Sequence, residues 1–276
     1  DLHDKVVRVL HELSFIDDPT RVFRAIRFET RFGFHLDRDT TALITGTVKM
    51  KLFHRLSGHR LLEELKLLLS EREPKHAVQR LADFDLLQFI HPKLKWSDRL
   101  KTRLDTIEQA VNWYQLLCLD RKMKPWLVYM MALLEVLPEQ AVTEVLKRFP
   151  FSEPETAKLK MARSGCHAVI RKLMGKTVLK PAEIYRLLSG RSDEVLLSLI
   201  AKNNGDEVKR QVSAFLTIYQ QVNPVLTGTD LKAMGLKPGP KFKQILDQLL
   251  DACLNGEVKT EPEQRAFVHR IANLSA

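Results

Sequence analysis

The chain has 276 residues, 45% hydrophobic and 28% charged, with 44 Lys and Arg against 34 Asp and Glu, a net charge of +10. This composition excludes a disordered chain, and only 11 Gly and 12 Pro argue against collagen, flexible linkers and β-sandwiches. The basic balance favours an anionic partner, nucleic acid before an acidic membrane surface, though a basic protein without such a partner has the same arithmetic.

From the N-terminus, Val6 to Leu10 reads as one short strand. Pro19 to Phe32 reads as a helix. Asp18 suits its N-cap, Pro19 its first position and Gly33 the left-handed position after its end. Val22, Ala25 and Ile26 supply the apolar stripe. A helix over 58–70 follows a Ser57 cap, and another over 74–87 breaks before His91 and Pro92. Further helices are expected over 97–117, 125–137, 139–148, 154–164, 168–174, 181–188, 193–202 and 207–222. The last are expected over 229–234, 240–255 and from Glu261. No fixed-period repeat is present, which disfavours a regular solenoid. The fold class expected is therefore all-α, with at most one short strand at the N-terminus.

Other chemistry is thin. Cys118, Cys166 and Cys253 are widely spaced and form no CxxC pair, which fits a reducing cytoplasm rather than a disulfide framework. No apolar run reaches the roughly 18 residues that span a bilayer. Trp126 to Leu137 is too short and holds Glu135. His54 and His59 lack the partners of a metal site. The turn at Gly235 is no P-loop, since no GK[ST] follows. Lys237, Lys241 and Lys243 around it suit an RNA phosphate, or simply make a solvated basic turn.

The densest signal is the run from Asp17 and Asp18 through Arg21, Arg24, Arg27 and Phe28. At about 100° per residue, each step of three turns back by about 60°, so the three arginines form a slowly winding stripe. Guanidinium forks near a helix start hold phosphates or read base edges, and a carboxylate beside them accepts from an exocyclic amine. Spacing alone equally describes a capped helix with solvated arginines.

This run resembles motif D of the class II tRNA nucleotidyltransferases and bacterial poly(A) polymerases, an acidic pair, two residues, Arg, then RxxRAxRF. Asp1 and Leu2 through Arg8 look like the end of their motif C. Ser57, Gly58, His59, Arg60 and Glu64 resemble motif E, with His59 in place of the usual Glu; Arg60 and Glu64 equally suit an exposed i, i+4 ion pair. Leu226 to Gly235, Pro238 to Pro240 and Asn255 to Val258 look like the tail of the CCA-adding enzymes.

The resemblance implies RNA 3′-end nucleotide addition, as CCA-adding, A-adding or poly(A) synthesis. It implies an elongated neck, body and tail, here 1–92, 93–222 and 223–276. It implies that Asp18 and Arg21 template the incoming base while Arg24 and Arg27 hold the nucleotide, with Asp17, Arg60 and Glu64 in support. ATP, CTP and Mg²⁺ are the implied substrates and cofactor, and tRNA or another RNA 3′ end is the implied partner, with no membrane. The paired DxD carboxylates and glycine loop that hold Mg²⁺ in the family's head have no counterpart here, since Asp83, Phe84 and Asp85 sit in a helical segment. The chain is thus expected to hold no metal and to be inactive alone. Two other readings of the same residues stay open, an all-α RNA-binding module without a nucleotide pocket and a helical adaptor between proteins.

Overall fold

Short strand β1 (Val6–Val7) leads into α1 (Ser14–Asp17) and α2 (Thr20–Phe32) in the structure, a computed structural model. Residues 2–175, 177–203, 205–237 and 239–272 are described; Asp1 and Pro238, both used in the sequence reading, lie outside them. Strand β2 (His35–Leu36) pairs in parallel with β1, Val6 opposite His35 and Val7 opposite Leu36. Then come α3 (Arg38–Lys49), α4 (Gly58–Leu68), α5 (Pro74–Asp83), α6 (Asp98–Leu116), α7 (Pro125–Glu135), α8 (Glu139–Arg148), α9 (Glu153–Ser164) and α10 (Cys166–Leu173). The remaining helices are α11 (Pro181–Leu188), α12 (Asp193–Asn203), α13 (Asp206–Thr217), α14 (Gly228–Ala233), α15 (Pro240–Leu254) and α16 (Glu261–Ala272). The all-α class holds. The only strands among the described residues are these two, so the expected strand over 6–10 shortens to two residues.

Side-chain caps start several of the helices. Ser57, Ser97 and Ser152 accept from the backbone N–H three residues on, and Glu155 returns the bond to Ser152. Three differences from the sequence reading have local causes. Helix α3 was not expected, because Thr40, Thr41, Thr45, Gly46 and Thr47 are weak helix formers. Asp37 caps it by accepting from Thr40 N at 2.8 Å, and the Thr45 and Thr47 hydroxyls bond back to carbonyls four residues earlier. The helix expected over 74–87 ends at Asp83. Phe84, Leu86, Leu87, Phe89 and Ile90 are all buried, which one continuous helical stripe cannot achieve. Asp85 resets the direction with φ of 57° and a short 3₁₀ turn covers Leu86–Phe89. Helix α13 likewise stops at Thr217, before a 3₁₀ turn over Tyr219–Gln221.

The chain condenses into two compact units, residues 1–166 with 192–202, and residues 167–191 with 203–276. In the first, α2 packs on α4 and α5, and the rings of Phe23, Phe53 and Phe89 run in series, 5.9 and 4.7 Å between centroids. Helix α7 is buried on every side from Trp126 to Leu134, which explains its lack of a polar face. In the second, Leu226, Leu231, Ile245, Leu249, Val258 and Val268 form the core. No described helix is long and apolar enough to cross a membrane.

Candidate functional site

The start of α2 is built around Asp18. Its backbone is extended, Pro19 follows in helical conformation, and its Oδ1 accepts from Thr20 N at 3.0 Å and Thr20 Oγ1 at 2.7 Å. The helix begins at Thr20 with Pro19 at its N-cap, one residue later than expected, and Asp18 satisfies its first free N–H from just outside. Arg60, 42 residues away near the start of α4, donates Nη2 to both Asp18 oxygens at 2.9 Å. Burial alone would raise the Asp18 pKa, but the Thr20 hydrogen bonds and the Arg60 charge outweigh it and hold the carboxyl below its ordinary range.

Arg21 does not pair with Asp18. Its Nη1 donates to Ser14 Oγ at 2.8 Å and to Ser14 O at 3.4 Å, which ties α2 back to α1. Arg21 and Arg24 line one groove of about 420 Å³ together with Val7, Phe15, Ala25 and Phe28. Asp18 is not among its lining residues. Arg27 turns away from it. Its Nε lies 3.9 Å from Glu71 Oε1, shared with Arg31 at 3.7 Å, and has no hydrogen-bond partner.

Glu64 sits half-buried on α4, one turn after Arg60, and Arg60 reaches Asp18 instead of forming the i, i+4 pair. Burial pushes the Glu64 carboxyl above its ordinary pKa, against the attraction of Arg27 and Arg24, and its Oε2 has no hydrogen-bond partner. Asp17 closes α1 and is exposed, as is His59. The sequence-predicted residues thus divide: Asp18 with Arg60, Arg21 with Arg24 at the groove, Arg27 and Glu64 behind them.

Ser14 and Glu71 escaped sequence reasoning, and Gly58 was named there without the packing role it has. Ser14 is 6% exposed and receives Arg21. Glu71 receives Arg27 and Arg31. Gly58, the first residue of α4, meets the end of α8: a Cβ there would collide with the Arg148 carbonyl oxygen and lie 3.1 Å from its carbon. Only Gly58 left a signal, as a glycine directly after a cap.

In the second unit, the turn after α14 uses Gly235 at φ of 85°, a left-handed conformation that favours glycine. At the start of α14, Thr227 donates both its N–H and its hydroxyl to Asp230 Oδ2, each at 2.7 Å. Lys237 in the turn and Lys241 and Lys243 in the first turn of α15 are exposed. Among the described residues, no three His, Cys, Asp or Glu side chains converge on a metal-sized site.

A family model described as "Probable RNA and SrmB- binding site of polymerase A" matches residues 33–97. An A-adding tRNA nucleotidyltransferase of Geobacter sulfurreducens is 42% identical over 277 residues, covering 99% of this chain and 32% of that protein. The Thermotoga maritima CCA-adding enzyme, solved in complex with tRNA, superposes with a TM-score of 0.80 at 26% identity, covering all of this chain and 66% of that one. A CCA-adding enzyme in complex with CTP gives 0.78 at 26% identity, covering 65% of that chain. The chain therefore spans about a third of the first relative and about two thirds of the solved enzymes.

Proposed function

We propose that the chain, similar over nearly its whole length to part of the A-adding and CCA-adding tRNA nucleotidyltransferases, serves RNA 3′-end nucleotide addition by selecting the incoming base and holding the tRNA. The observation that carries this reading is the groove where Arg21 and Arg24 meet apolar walls, with Asp18, paired to Arg60, three residues before Arg21 in the chain though not in the groove's lining. A base needs apolar faces above and below it and a few fixed polar groups at its edge. Arg21 offers a planar fork of donors, already oriented by Ser14. Asp18 offers an acceptor: Oδ1 takes both Thr20 bonds and one from Arg60, while Oδ2 takes only Arg60 and keeps acceptor capacity for an exocyclic amine. ATP and CTP, both amino-bearing, are the substrates this chemistry suits. Arg24 then supplies positive charge toward the phosphates, while Arg27, expected beside it, is turned to Glu71.

The neck (1–92) would carry this site, and the body (93–222) and tail (223–276) would hold the tRNA, with Lys237, Lys241 and Lys243 on its phosphates in the cytoplasm. Phosphoryl transfer in this family needs Mg²⁺. The described residues of this chain do not fit such an ion, and no step here passes through one.

The test is Arg21→Ala, placed in a polypeptide as long as the relatives, with correct and incorrect nucleotide incorporation measured beside tRNA affinity. Each lost charge-assisted bond should cost about 1.5–3 kcal/mol, roughly tenfold or more in discrimination, with tRNA affinity unchanged. Arg21→Lys should not rescue it, because an ammonium lacks the fork. Unchanged selectivity would remove the templating role.

A further inference from the structure

A different face of the first unit carries side chains that the base-selection site does not use. Between α5 and α6 the chain passes from His91 to Ser97 without regular structure. Two buried residues pin this segment. His91 is 5% exposed; its Nδ1 accepts from Lys93 N at 3.1 Å and its Nε2 lies 3.0 Å from Glu144 Oε2. Leu94 is 1% exposed. Between and after them Lys93 and Lys95 are exposed and Trp96 is half-buried. Beside the segment lies a groove of about 520 Å³, with Leu87 and Leu94 among its lining and Asp85, Gln88, Lys95 and Trp96 as its polar and aromatic members.

The backbone here is held in an uncommon state. Asp85 has φ of 57°, rare for a residue with a side chain, and Gln88 Nε2 donates to Asp85 O at 2.9 Å to close the turn. Such residues gather where a site needs fixed geometry. An indole face, two lysines held on one short rigid segment, and an acceptor and an amide at one rim are the parts of a nucleotide-stacking platform. The groove lies within the roughly 300–1,000 Å³ of small-ligand sites.

We propose that this groove binds an unpaired, amino-bearing RNA base, stacked on Trp96 and flanked by phosphates on Lys93 and Lys95. Asp85 accepts from the exocyclic amine of adenine or cytosine, which uracil lacks. The inference rests on the proposed RNA partner but assigns it a contact remote in sequence from Asp18 and Arg21. The charged and polar members Asp85, Gln88 and Lys95, interspersed among Ala82, Leu87, Pro92 and Leu94, break the continuous apolar stripe that a protein helix would need.

The experiment titrates the 276-residue chain with a five-nucleotide oligoadenylate, and with oligouridylate for comparison. Oligoadenylate should quench tryptophan fluorescence in the wild type. Trp96→Phe should still bind within a few fold but lose that quench, which locates the contact among the three tryptophans. Trp96→Leu should weaken binding about tenfold. Replacing Lys93 and Lys95 together by Ala, both exposed and safe for folding, should lower the salt slope of log affinity by about 1.4, or about 0.7 for each phosphate contact. Asp85→Asn should narrow the preference for oligoadenylate over oligouridylate. Equal affinity in wild type and Trp96→Leu, or an unchanged salt slope without both lysines, overturns the proposal. Binding of neither oligonucleotide also overturns it and leaves the groove to a protein partner. Should Trp96→Leu fail to fold, the Trp96→Phe quench and the lysine pair decide. The Trp96 quench reports this groove and the incorporation ratio of Arg21→Ala reports base selection, so failure here and failure of that reading are read separately.

Discussion

The two ends of α2 carry the same chemistry put to different use. At the front, Asp18 takes Arg60 from α4; at the back, Glu29 takes Arg80 from α5 through Nε at 2.7 Å and Nη2 at 3.2 Å. The side chains of Glu29 and Arg80 are 11% and 30% exposed, and those of Asp18 and Arg60 are 24% and 52%. Glu29 Oε1 also accepts from Leu36 N, so it fixes β2 as well as two helices. Its acceptors are spent on the fold. Asp18 Oδ1 is filled by Thr20 and Arg60, while Oδ2 takes only Arg60. The back pair is thus the more buried scaffold, and the front pair is the one that the proposed base recognition would use.

The sharpest way to break this comparison is to delete both acids. Glu29→Ala leaves Arg80 half-buried without its main partner and Leu36 N unpaired, and should cost about 3–5 kcal/mol in urea unfolding at pH 7. Asp18→Ala removes a cap and an exposed-side ion pair and should cost about 1 kcal/mol. Equal losses would show that both ends are scaffold.

A smaller effect is expected at Gly58, which sets the position of the front pair. Gly58→Ala must move either α4 or the end of α8, because the obstructing atoms are Arg148 backbone, with the Phe149 Cα 3.6 Å away. Overpacking of this kind costs about 1–3 kcal/mol. A thermal melt measures it, and an unchanged melting temperature would mean that the two helix ends are less tightly apposed.

These positions also mark where sequence reasoning stops. Asp18 as the side chain that starts α2, Pro19 and Gly33 as its borders to within one residue, and α8 over Glu139–Arg148 were legible, because caps and apolar periodicity act within one turn. The placing of Arg21, Arg24 and Arg27 on one helix was legible too, from their spacing. The site's pairings were not. Arg60 reaches Asp18 across 42 residues and Arg80 reaches Glu29 across 51, choices set by which helices pack together. Arg21 to Ser14 spans only seven residues, yet it crosses the break between α1 and α2, which no periodicity describes.

The smallest effect, and the one that separates front from back most finely, is in pH. Asp18 has a lowered pKa when folded: burial raises it, but the Thr20 bonds and Arg60 prevail. Its contribution to stability is therefore complete above the unfolded value, near 3.8, and disappears as pH falls through the folded one. Glu64 runs the other way. Burial raises its pKa despite Arg27 and Arg24, so the folded state binds its proton more tightly than the unfolded state does. Stability is then lost as pH rises from the ordinary value near 4.5 through the raised one. Glu64→Gln abolishes that loss. In urea unfolding from pH 3 to 7.5, Glu64→Gln and wild type should differ least at pH 3, and the variant should gain on wild type as pH rises past 4.5, then hold a constant lead. Asp18→Asn should show the opposite trend, falling behind wild type as pH rises from 3. A Glu64→Gln variant that loses ground toward pH 7 would mean that the pull of Arg24 and Arg27 exceeds the cost of burial, and Glu64 would join Glu29 as scaffold.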